Sequence, residues 1–197
     1  MSFANIKVVV FDLGGVLLQL RDPVETFRLD ISEGEFLKRW LRSPSVREFE
    51  RGATDAESFA RAIVDEMKLV MHWKEFLKCF DAWPERLFPE TEGLLDAIPA
   101  GIGRALLSNT NAAHWGRKDI SSALSGKLDR LFLSFDTGLV KPDREAFDQV
   151  VAAYGNPART FLFFDDNPLN VTAAIDAGMT AVLCKGATEA LNVVRQL

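Results

Sequence analysis

The chain opens with an apolar run over residues 6–11 that stops at the carboxylate of Asp12. The run is rich in β-branched residues and too short for a buried helix, which predicts a strand that is apolar on both faces and central in a parallel sheet. Gly14 and Gly15 follow and allow a tight turn beside Asp12. Because ligands of open α/β sheets gather at the carboxyl ends of strands, Asp12 either contacts a ligand or merely begins the turn.

The pattern then becomes helical over residues 23–88, with almost no strand signal. The clearest helix is predicted to begin at Thr54, which forms a capping-box pattern with Glu57, and its apolar residues recur at steps of three and four. Residues 35–41 and 74–82 also show helical patterns with aromatic residues on their apolar faces. We therefore predict a small helical bundle inserted after the first strand, with tryptophans as core residues: Trp40, Trp73 and Trp83.

After residue 89 helical and strand patterns alternate to the end of the chain, which predicts βαβ units and an α/β fold. With the first strand, the sheet is expected to contain about five parallel strands. The four further strands are predicted at residues 104–107, 131–134, 160–164 and 180–183. Two of the intervening helices are followed by Gly155 and Gly178, where glycine suits a left-handed helix stop.

Composition and charge exclude several classes of partner. Hydrophobic residues make up 48% and charged residues 26% of the 197 residues, as in a globular protein large enough for two unequal parts. The formal net charge is −5 and the sequence has no basic cluster, so nucleic acid is not an expected partner. No apolar stretch is long enough to cross a bilayer, so we expect no membrane partner and a cytoplasmic location. Cys79 and Cys184 lack metal-ligand or redox spacing and are expected to be reduced packing residues.

Polar residues follow the predicted strands on the edge that carries Asp12. Ser108 and Asn109 end the second strand of the sheet, where they suit a helix cap or a site whose hydroxyl and backbone amides bind phosphate oxygens. Lys141 precedes Pro142, which is expected to open a helix and to hold the lysine in an extended conformation. A lone lysine is usually solvated, so Lys141 becomes informative only if it lies near Asp12.

An acidic pair, Asp165 and Asp166, follows the strand predicted at residues 160–164. If the pair converges with Asp12, two of these charges at about 4 Å repel by roughly 4 kcal/mol at an effective dielectric constant of about 20. Lys141 alone cannot offset three such repulsions, whereas a divalent cation can. Oxygen ligands with room for water and a phosphate are what Mg²⁺ prefers. We therefore predict a magnesium site, with a surface turn as the alternative.

Four motifs in this order resemble those of the haloacid dehalogenase-like (HAD) superfamily: Phe11-Asp12-x-Gly14, Leu107-Ser108-Asn109, Lys141-Pro142 and Phe164-Asp165-Asp166-x-x-x-Asn170. The resemblance implies a Rossmann-like catalytic core of residues 1–18 and 89–197. The helical insertion, residues 19–88, resembles the C1 cap domain of that family by position and helicity. The sequence around the strand ends looks closest to the branch that includes α-glucose-1-phosphate phosphatase.

The resemblance also implies a mechanism and a metal site. Asp12 would be the nucleophile that attacks phosphorus and forms an aspartyl-phosphate, which water then hydrolyses. Mg²⁺ would be held by Asp12, by the backbone carbonyl of Gly14 and by Asp166. Asp165 would ligate the ion through water or orient its neighbour. The implied activity is the hydrolysis of a small phosphorylated metabolite, a sugar phosphate by the branch resemblance.

Two further roles follow from the same resemblance. Lys141 would neutralise the phosphate and hold Asp12 in place. Ser108 and the backbone amide of Asn109 would bind the oxygens of the transferring group. Separately from these roles, cap side chains that face the cleft would select the substrate, and Arg21 and Arg51 are candidates for such contacts.

The chain departs from the family pattern at Gly14, where most phosphatases of the superfamily carry a second aspartate as general acid and base. Such a group typically contributes ~10²–10⁴-fold in rate. Glycine leaves the backbone ligand in place but removes this step, which predicts a preference for leaving groups that need little protonation, such as an anomeric sugar phosphate or an acyl phosphate. His114, Asp143 and Asn111 are conceivable substitutes, with a solvated or capping role as the alternative for each.

Two other functions fit the same motifs. A 2-haloacid dehalogenase attacks carbon with the same aspartate and needs no metal, but the pair Asp165 and Asp166 would repel a haloacid. A pseudo-enzyme with a binding or regulatory role would retain the fold and have lost turnover with the aspartate at position 14. The sequence leaves the substrate and the oligomeric state open.

Overall fold

A computed structural model describes Phe3 and residues 5–197. The strands of this part of the chain are β1 (Val8–Phe11), β2 (Leu18–Leu20), β3 (Pro84–Leu87), β4 (Gly103–Ser108), β5 (Arg130–Leu133), β6 (Phe161–Asp165) and β7 (Thr180–Leu183). Five of them form one parallel sheet in the order β5-β4-β1-β6-β7. The predicted α/β fold with a sheet of about five parallel strands is therefore confirmed.

The described part of the chain also forms helices. They are α1 (Pro23–Phe27), α2 (Glu33–Trp40), α3 (Pro44–Glu50), α4 (Ala56–Glu66), α5 (Trp73–Ala82), α6 (Thr91–Asp96), α7 (Ala112–Trp115), α8 (Lys118–Ser125), α9 (Ser134–Thr137), α10 (Arg144–Tyr154), α11 (Pro168–Asp176) and α12 (Gly186–Val194). Along the sequence, α1 to α5 lie between β2 and β3, and several of the later helices cover the two faces of the sheet. Gly155 and Gly178 take left-handed backbone conformations after α10 and α11, as predicted from their positions.

Strand β1 is central because both of its faces are covered. Val9 and Phe11 pack in a hydrophobic cluster with residues of α6, α8 and α12, whereas Val8 and Val10 pack on the opposite face with residues of α10 and α11. A continuous apolar run suits a strand that is buried in this way. The backbone N–H of Asp12 donates to the carbonyl of Phe164 at 2.9 Å, so Asp12 emerges at the carboxyl edge of the sheet.

Helices α1 to α5, residues 23–82, form a group that we call the helical insert. Its hydrophobic core is separate from the two sheet faces and consists largely of aromatic side chains: Phe27, Phe36, Trp40, Phe49, Phe59, Phe76, Phe80 and Trp83. Trp40 and Trp83 are buried in this core, as predicted. Trp73 is only half-buried and lies under the guanidinium group of Arg61, whose Cζ is 4.3 Å from the ring centroid. The division into two domains stays a prediction.

Residues 23–88 show almost no strand signal, and within them one short strand, β3, follows the helices and pairs antiparallel with β2. The two strands form a short ribbon through which the chain enters and leaves the helical insert. Arg21 and Trp83 extend the ribbon, since the Arg21 N–H donates to the Trp83 carbonyl and the indole N–H of Trp83 donates to the Arg21 carbonyl, both at 2.9 Å. This pairing joins segments far apart in sequence, so no local pattern indicates it.

Two predicted helix starts were wrong by one or two residues. The N-cap of α4 is Asp55 rather than Thr54, and its carboxylate accepts hydrogen bonds from the backbone N–H and the hydroxyl of Ser58. Helix α10 begins at Arg144, and Pro142 lies in the preceding turn, in which the Asp143 N–H donates to the Val140 carbonyl at 2.9 Å. Competing side-chain caps and a tight turn therefore set these two boundaries.

Cys79 and Cys184 are both free, in agreement with the prediction. Among the helices described above, none is both long and apolar enough to cross a membrane.

The two candidate caps of α4 can be separated by mutation. We expect Asp55→Ala to lower the free energy of unfolding by about 1 kcal/mol, because the first turn loses its side-chain acceptor. Thr54→Ala is expected to change the free energy of unfolding by less than about 0.5 kcal/mol. Urea unfolding followed by circular dichroism measures both. A larger loss with Thr54→Ala than with Asp55→Ala would restore Thr54 as the cap.

Candidate active site

Three carboxylates meet at the carboxyl edge of the sheet. Asp12 directly follows β1, Asp165 ends β6 and Asp166 is the next residue. One oxygen from each of the three lies within 4.8 Å of the others. The neighbouring positions of β1 and β6 in the sheet bring these side chains together, because both strands run in the same direction and stop at the same level.

Lys141 connects two of the three carboxylates. Its Nζ donates to Asp12 Oδ1 at 2.6 Å and to Asp165 Oδ2 at 2.7 Å. The side chains of Lys141 and Asp165 are 1% and 0% exposed, and that of Asp12 is 12% exposed. The sequence alternative of a solvated surface lysine is therefore wrong.

Asp165 is held by donors on both of its oxygens. Oδ1 accepts from the backbone N–H of Asn167 at 2.8 Å, and the side-chain amide of Asn170 reaches Oδ1 at 3.1 Å and Oδ2 at 3.0 Å. Together with Lys141 these donors occupy the directions in which the carboxylate could bind a ligand directly. The arrangement fits a residue that orients its neighbours.

Asp166 differs from Asp165, since among the described residues only its own backbone N–H, and no other residue, donates a hydrogen bond to its carboxylate. The side chain lies against Gly15, where an added Cβ would collide with the Asp166 carboxylate. Gly15 also has φ +78°, so glycine is required at this position by both the backbone and the close approach. Asp166 therefore presents free oxygens to the cluster.

Gly14 lies between Asp12 and this close approach, in the turn that bridges to Leu18. A Cβ added at Gly14 would meet Leu20 Cδ1 at 3.4 Å, which is ordinary van der Waals contact with a flexible side chain. The backbone conformation and the surrounding space therefore do not require glycine here. The role of the Gly14 carbonyl as a metal ligand stays a prediction.

The charges of the cluster are not balanced. Burial raises the pKa of Asp12 above its usual range, and the nearby Asp165 and Asp166 carboxylates raise it further against the opposing effect of Lys141. Burial and Asp165 raise the pKa of Asp166 to about 6. Burial lowers the pKa of Lys141, but the pull of Asp12 and Asp165 outweighs it and keeps this pKa above its usual value. A site with several oxygen donors and excess negative charge is suited to a hard cation.

Ser108 and Asn109 lie at the end of β4, beside β1. Ser108 is buried. The Asn109 side chain holds the lysine loop, since its Oδ1 accepts from the Lys141 N–H at 2.8 Å and its Nδ2 donates to the Lys141 carbonyl at 2.9 Å. Sequence reasoning missed this side-chain role, because it depends on a contact between two loops.

Glu50 is a second residue that sequence reasoning missed. It is the last residue of α3 in the helical insert, and its Oε2 accepts a hydrogen bond from Asn109 Nδ2 at 3.1 Å. Burial raises the pKa of Glu50 to about 7, partly offset by the charge of Lys141. In the sequence Glu50 stands in a charged run typical of a solvated helix face, so no local signal indicates its position.

The three proposed substitutes for the missing acid all have structural partners. His114 is mostly buried, with Nε2 at 2.8 Å from the Phe80 carbonyl, and burial lowers its pKa to about 4. Asp143 forms ion pairs with Arg47 and Arg51 of the helical insert. Asn111 caps α7 by accepting from the His114 backbone N–H. The capping alternative is thus the observed arrangement for Asn111.

The two arginines that were candidates for substrate contacts also have partners. Arg51 pairs with Asp143 at 2.9 Å, and Arg21 Nε donates to the Ala82 carbonyl at 2.9 Å. Arg21 therefore belongs to the ribbon region, whereas Arg51 lies where the helical insert meets the core.

Comparison with protein-family profiles matches residues 6–178 to the family described as haloacid dehalogenase-like hydrolase. The chain belongs to this family. The predicted superfamily and the prediction of a hydrolase are thereby confirmed. The narrower resemblance to the α-glucose-1-phosphate phosphatase branch rests on the sequence motifs alone.

The chain is also similar to individual proteins, of which two solved structures share its fold. The chain is 29% identical over 188 residues to D-ribitol-5-phosphate phosphatase of Bacteroides thetaiotaomicron, covering 88% of this chain and 89% of that protein. A HAD family enzyme of the same organism, solved with magnesium and inorganic phosphate, has a similar fold, with a TM-score of 0.71, 23% identity and coverage of 91% and 94%. The L-2-haloacid dehalogenase of Xanthobacter autotrophicus also shares the fold, with a TM-score of 0.62, 20% identity and coverage of 89% and 76%.

The role of Lys141 in charge balance predicts a large effect of its removal. We expect Lys141→Met to lower the free energy of unfolding by about 3–5 kcal/mol in metal-free buffer, because two buried carboxylates lose their partner. Lys7 is exposed and offers a control: Lys7→Met is expected to change the free energy of unfolding by less than about 0.5 kcal/mol. Urea unfolding provides the measurement. A loss below about 1 kcal/mol for Lys141→Met would contradict the assignment.

Proposed function

We propose that this HAD hydrolase is a magnesium-dependent phosphatase that hydrolyses a small phosphomonoester, a sugar phosphate or a closely related polyol phosphate, through an aspartyl-phosphate. The observation that carries the proposal is the buried pair of Asp12 and Lys141 within a cluster of three carboxylates. The D-ribitol-5-phosphate phosphatase relative, similar over nearly its whole length, supports the substrate class.

Asp12 is the nucleophile of the proposed reaction. Its Oδ1 is held by Lys141, which keeps the carboxylate in one orientation and lessens its repulsion of a phosphate dianion. The bond from Asp12 to phosphorus forms as the bond to the leaving oxygen breaks, and water then cleaves the aspartyl-phosphate. Ser108 and the backbone N–H of Asn109 bind the oxygens of the transferring group.

Asp12, Asp166 and the backbone carbonyl of Gly14 would hold Mg²⁺. Asp165, which Asn170 holds in place, would orient Asp12 through Lys141. The oxygen-only donors, the excess negative charge and the free carboxylate of Asp166 fit this ion. When bound, the ion would draw charge from the phosphate oxygens.

The helical insert, with its connecting segments over residues 19–88, is proposed to act as the cap of the catalytic core over residues 1–18 and 89–197. Two sets of contacts support this proposal. Glu50 reaches Asn109, and Arg47 and Arg51 reach Asp143. A cap in this position restricts access of water to the reacting phosphate.

The two competing proposals are a 2-haloacid dehalogenase and a pseudo-enzyme with a binding or regulatory role. The fold is shared with L-2-haloacid dehalogenase, so the fold does not separate the reactions. The cluster of Asp12, Asp165 and Asp166 favours the phosphatase, because three carboxylates disfavour a 2-haloacid and suit a cation.

A phosphate-release screen over sugar and polyol phosphates tests the proposal. We expect the wild-type protein to release phosphate with Mg²⁺ and to lose this activity after chelation. Asp12→Asn should reduce kcat by ~10³-fold or more, because the nucleophile is removed. Release of chloride from a 2-haloacid that survives chelation would instead establish the dehalogenase. No release from any substrate would support the pseudo-enzyme.

Metal binding can be tested separately from turnover. We expect Mg²⁺ to raise the thermal unfolding temperature of the wild-type protein, because a ligand that binds the folded state stabilises it. Asp166→Asn should abolish this rise and leave the metal-free unfolding temperature equal or higher, since one repelling charge is removed. The exposed Asp176 provides the control, and Asp176→Asn should retain the rise. An unchanged rise in Asp166→Asn would exclude Asp166 as a ligand.

A further inference from the structure

Glu50 occupies an unusual position for a carboxylate of the helical insert. It hydrogen-bonds to Asn109, the residue that also holds both backbone groups of Lys141. Glu50 is therefore one side chain away from the lysine that binds Asp12. The mechanism described above uses Asp12, Lys141 and the end of β4, and it assigns no role to Glu50.

Several contacts fix the end of α3 against the core. Arg47 and Arg51, one turn before Glu50 and directly after it, both pair with Asp143. Gly52 follows with φ +71°, and a Cβ added there would lie 2.5 Å from the Phe135 carbonyl oxygen. Only glycine permits this close approach. These contacts fix the backbone that carries Glu50, and the hydrogen bond to Asn109 fixes its carboxylate.

The leaving group of the proposed reaction lacks a proton donor. Position 14 has no side chain, and the amide of Asn111 has no proton to give near neutral pH. Asp143 is paired with two arginines, and burial lowers the pKa of His114 to about 4. An unprotonated alkoxide is a poor leaving group, and a positioned acid contributes ~10²–10⁴-fold to such steps. With no side chain at position 14, any proton donor supplied by the protein must lie on another residue.

We propose that Glu50 is the general acid and base of this active site, supplied by the helical insert in place of a side chain at Gly14. The inference rests on the proposed phosphatase function. In the first step the bond from Asp12 to phosphorus forms, the bond from phosphorus to the leaving oxygen breaks, and the protonated Glu50 carboxyl gives its proton to that oxygen. In the second step water attacks phosphorus, the bond to Asp12 breaks, and the Glu50 carboxylate takes a proton from the water.

The charges around Glu50 suit both protonation states. Lys141, from the loop before α10, and Arg47, on the same helix, favour the carboxylate, whereas burial favours the neutral acid. Arg51 and Asp143 lie in the same contact region and pair with each other. A phosphate dianion entering beside Asn109 would repel an ionised Glu50, so substrate binding favours the protonated form that the first step needs. With a pKa of about 7, Glu50 can exchange a proton readily near neutral pH.

This inference changes the expected substrate range. A chain without any acid is restricted to leaving groups that need little protonation. A chain that uses Glu50 can also release an unactivated alcohol, such as the primary alcohol of a sugar or polyol phosphate.

The test compares two leaving groups in wild type and Glu50→Gln. One substrate is the sugar or polyol phosphate with an alcohol leaving group that the wild-type protein hydrolyses fastest in the screen, and the other is p-nitrophenyl phosphate, whose leaving group needs no proton. We expect Glu50→Gln to lower kcat/KM by ~10²–10⁴-fold for the alcohol phosphate. For p-nitrophenyl phosphate kcat/KM should change by less than about threefold, because this parameter reports the formation of the aspartyl-phosphate.

The pH profile gives a second readout that a structural role would not alter. In wild type, kcat/KM for the alcohol phosphate should fall as the pH rises through about 7, because the acid loses its proton. This decline should be absent in Glu50→Gln. Glu50→Asp should recover part of the activity with the alcohol phosphate.

Glu48→Gln provides the matched control, since Glu48 is exposed on the same helix. Its kinetics should equal those of wild type with both substrates. Thermal unfolding of each variant verifies that it is folded. Equal losses of kcat/KM with both substrates in Glu50→Gln, or no loss with either, would overturn the role of Glu50 while leaving the phosphatase intact. Wild-type activity on p-nitrophenyl phosphate without activity on any alcohol phosphate would also overturn it. Absence of all phosphate release would reject the proposed function itself.

Discussion

The ammonium group of Lys141 lies between two buried carboxylates that come from different strands of the sheet. Asp12 and Asp165 would repel each other without it, and because Asp165 is fully buried and Asp12 largely so, water screens that repulsion only weakly. The lysine must therefore be placed closely, and its loop is held by Asn109 at the end of β4. One hydrogen-bonded unit thus joins the ends of three adjacent strands of the sheet.

The three carboxylates of the cluster carry more negative charge than the single positive charge of Lys141 can neutralise. Asp165 is saturated by Lys141, Asn167 and Asn170, whereas Asp166 has free oxygens and lies against Gly15. The excess charge costs stability in the absence of a cation, which is a common property of sites that bind ions or transfer groups. The donors around Asp165 thus fix its orientation, and the negative charge that Lys141 does not neutralise is concentrated at Asp166.

The sequence was most informative where local pattern and sheet geometry coincide. An apolar run that ends in a carboxylate identifies a buried parallel strand, and parallel strands place their carboxyl ends on one edge, so the meeting of Asp12 and Asp165 could be foreseen. The positions of Glu50 and of the β2–β3 ribbon could not be foreseen, because each depends on contacts between segments far apart in the chain. The start of α4 was misplaced because Thr54 and Asp55 both satisfy cap chemistry, and only the backbone path selects Asp55.

The ribbon formed by β2 and β3 has a mechanical consequence. Both crossings between the sheet and the helical insert run through this one pair of strands, whose hydrogen bonds resist sliding of one strand along the other. A swing of the insert relative to the sheet would have to bend or twist this ribbon, which would then act as its pivot. The pivot begins only a few residues after Gly14 and Gly15. Because Glu50 lies in the insert and reaches Asn109 at the sheet edge, such a swing would change the distance between Glu50 and that edge, with the pivot close to Asp12 in the sequence.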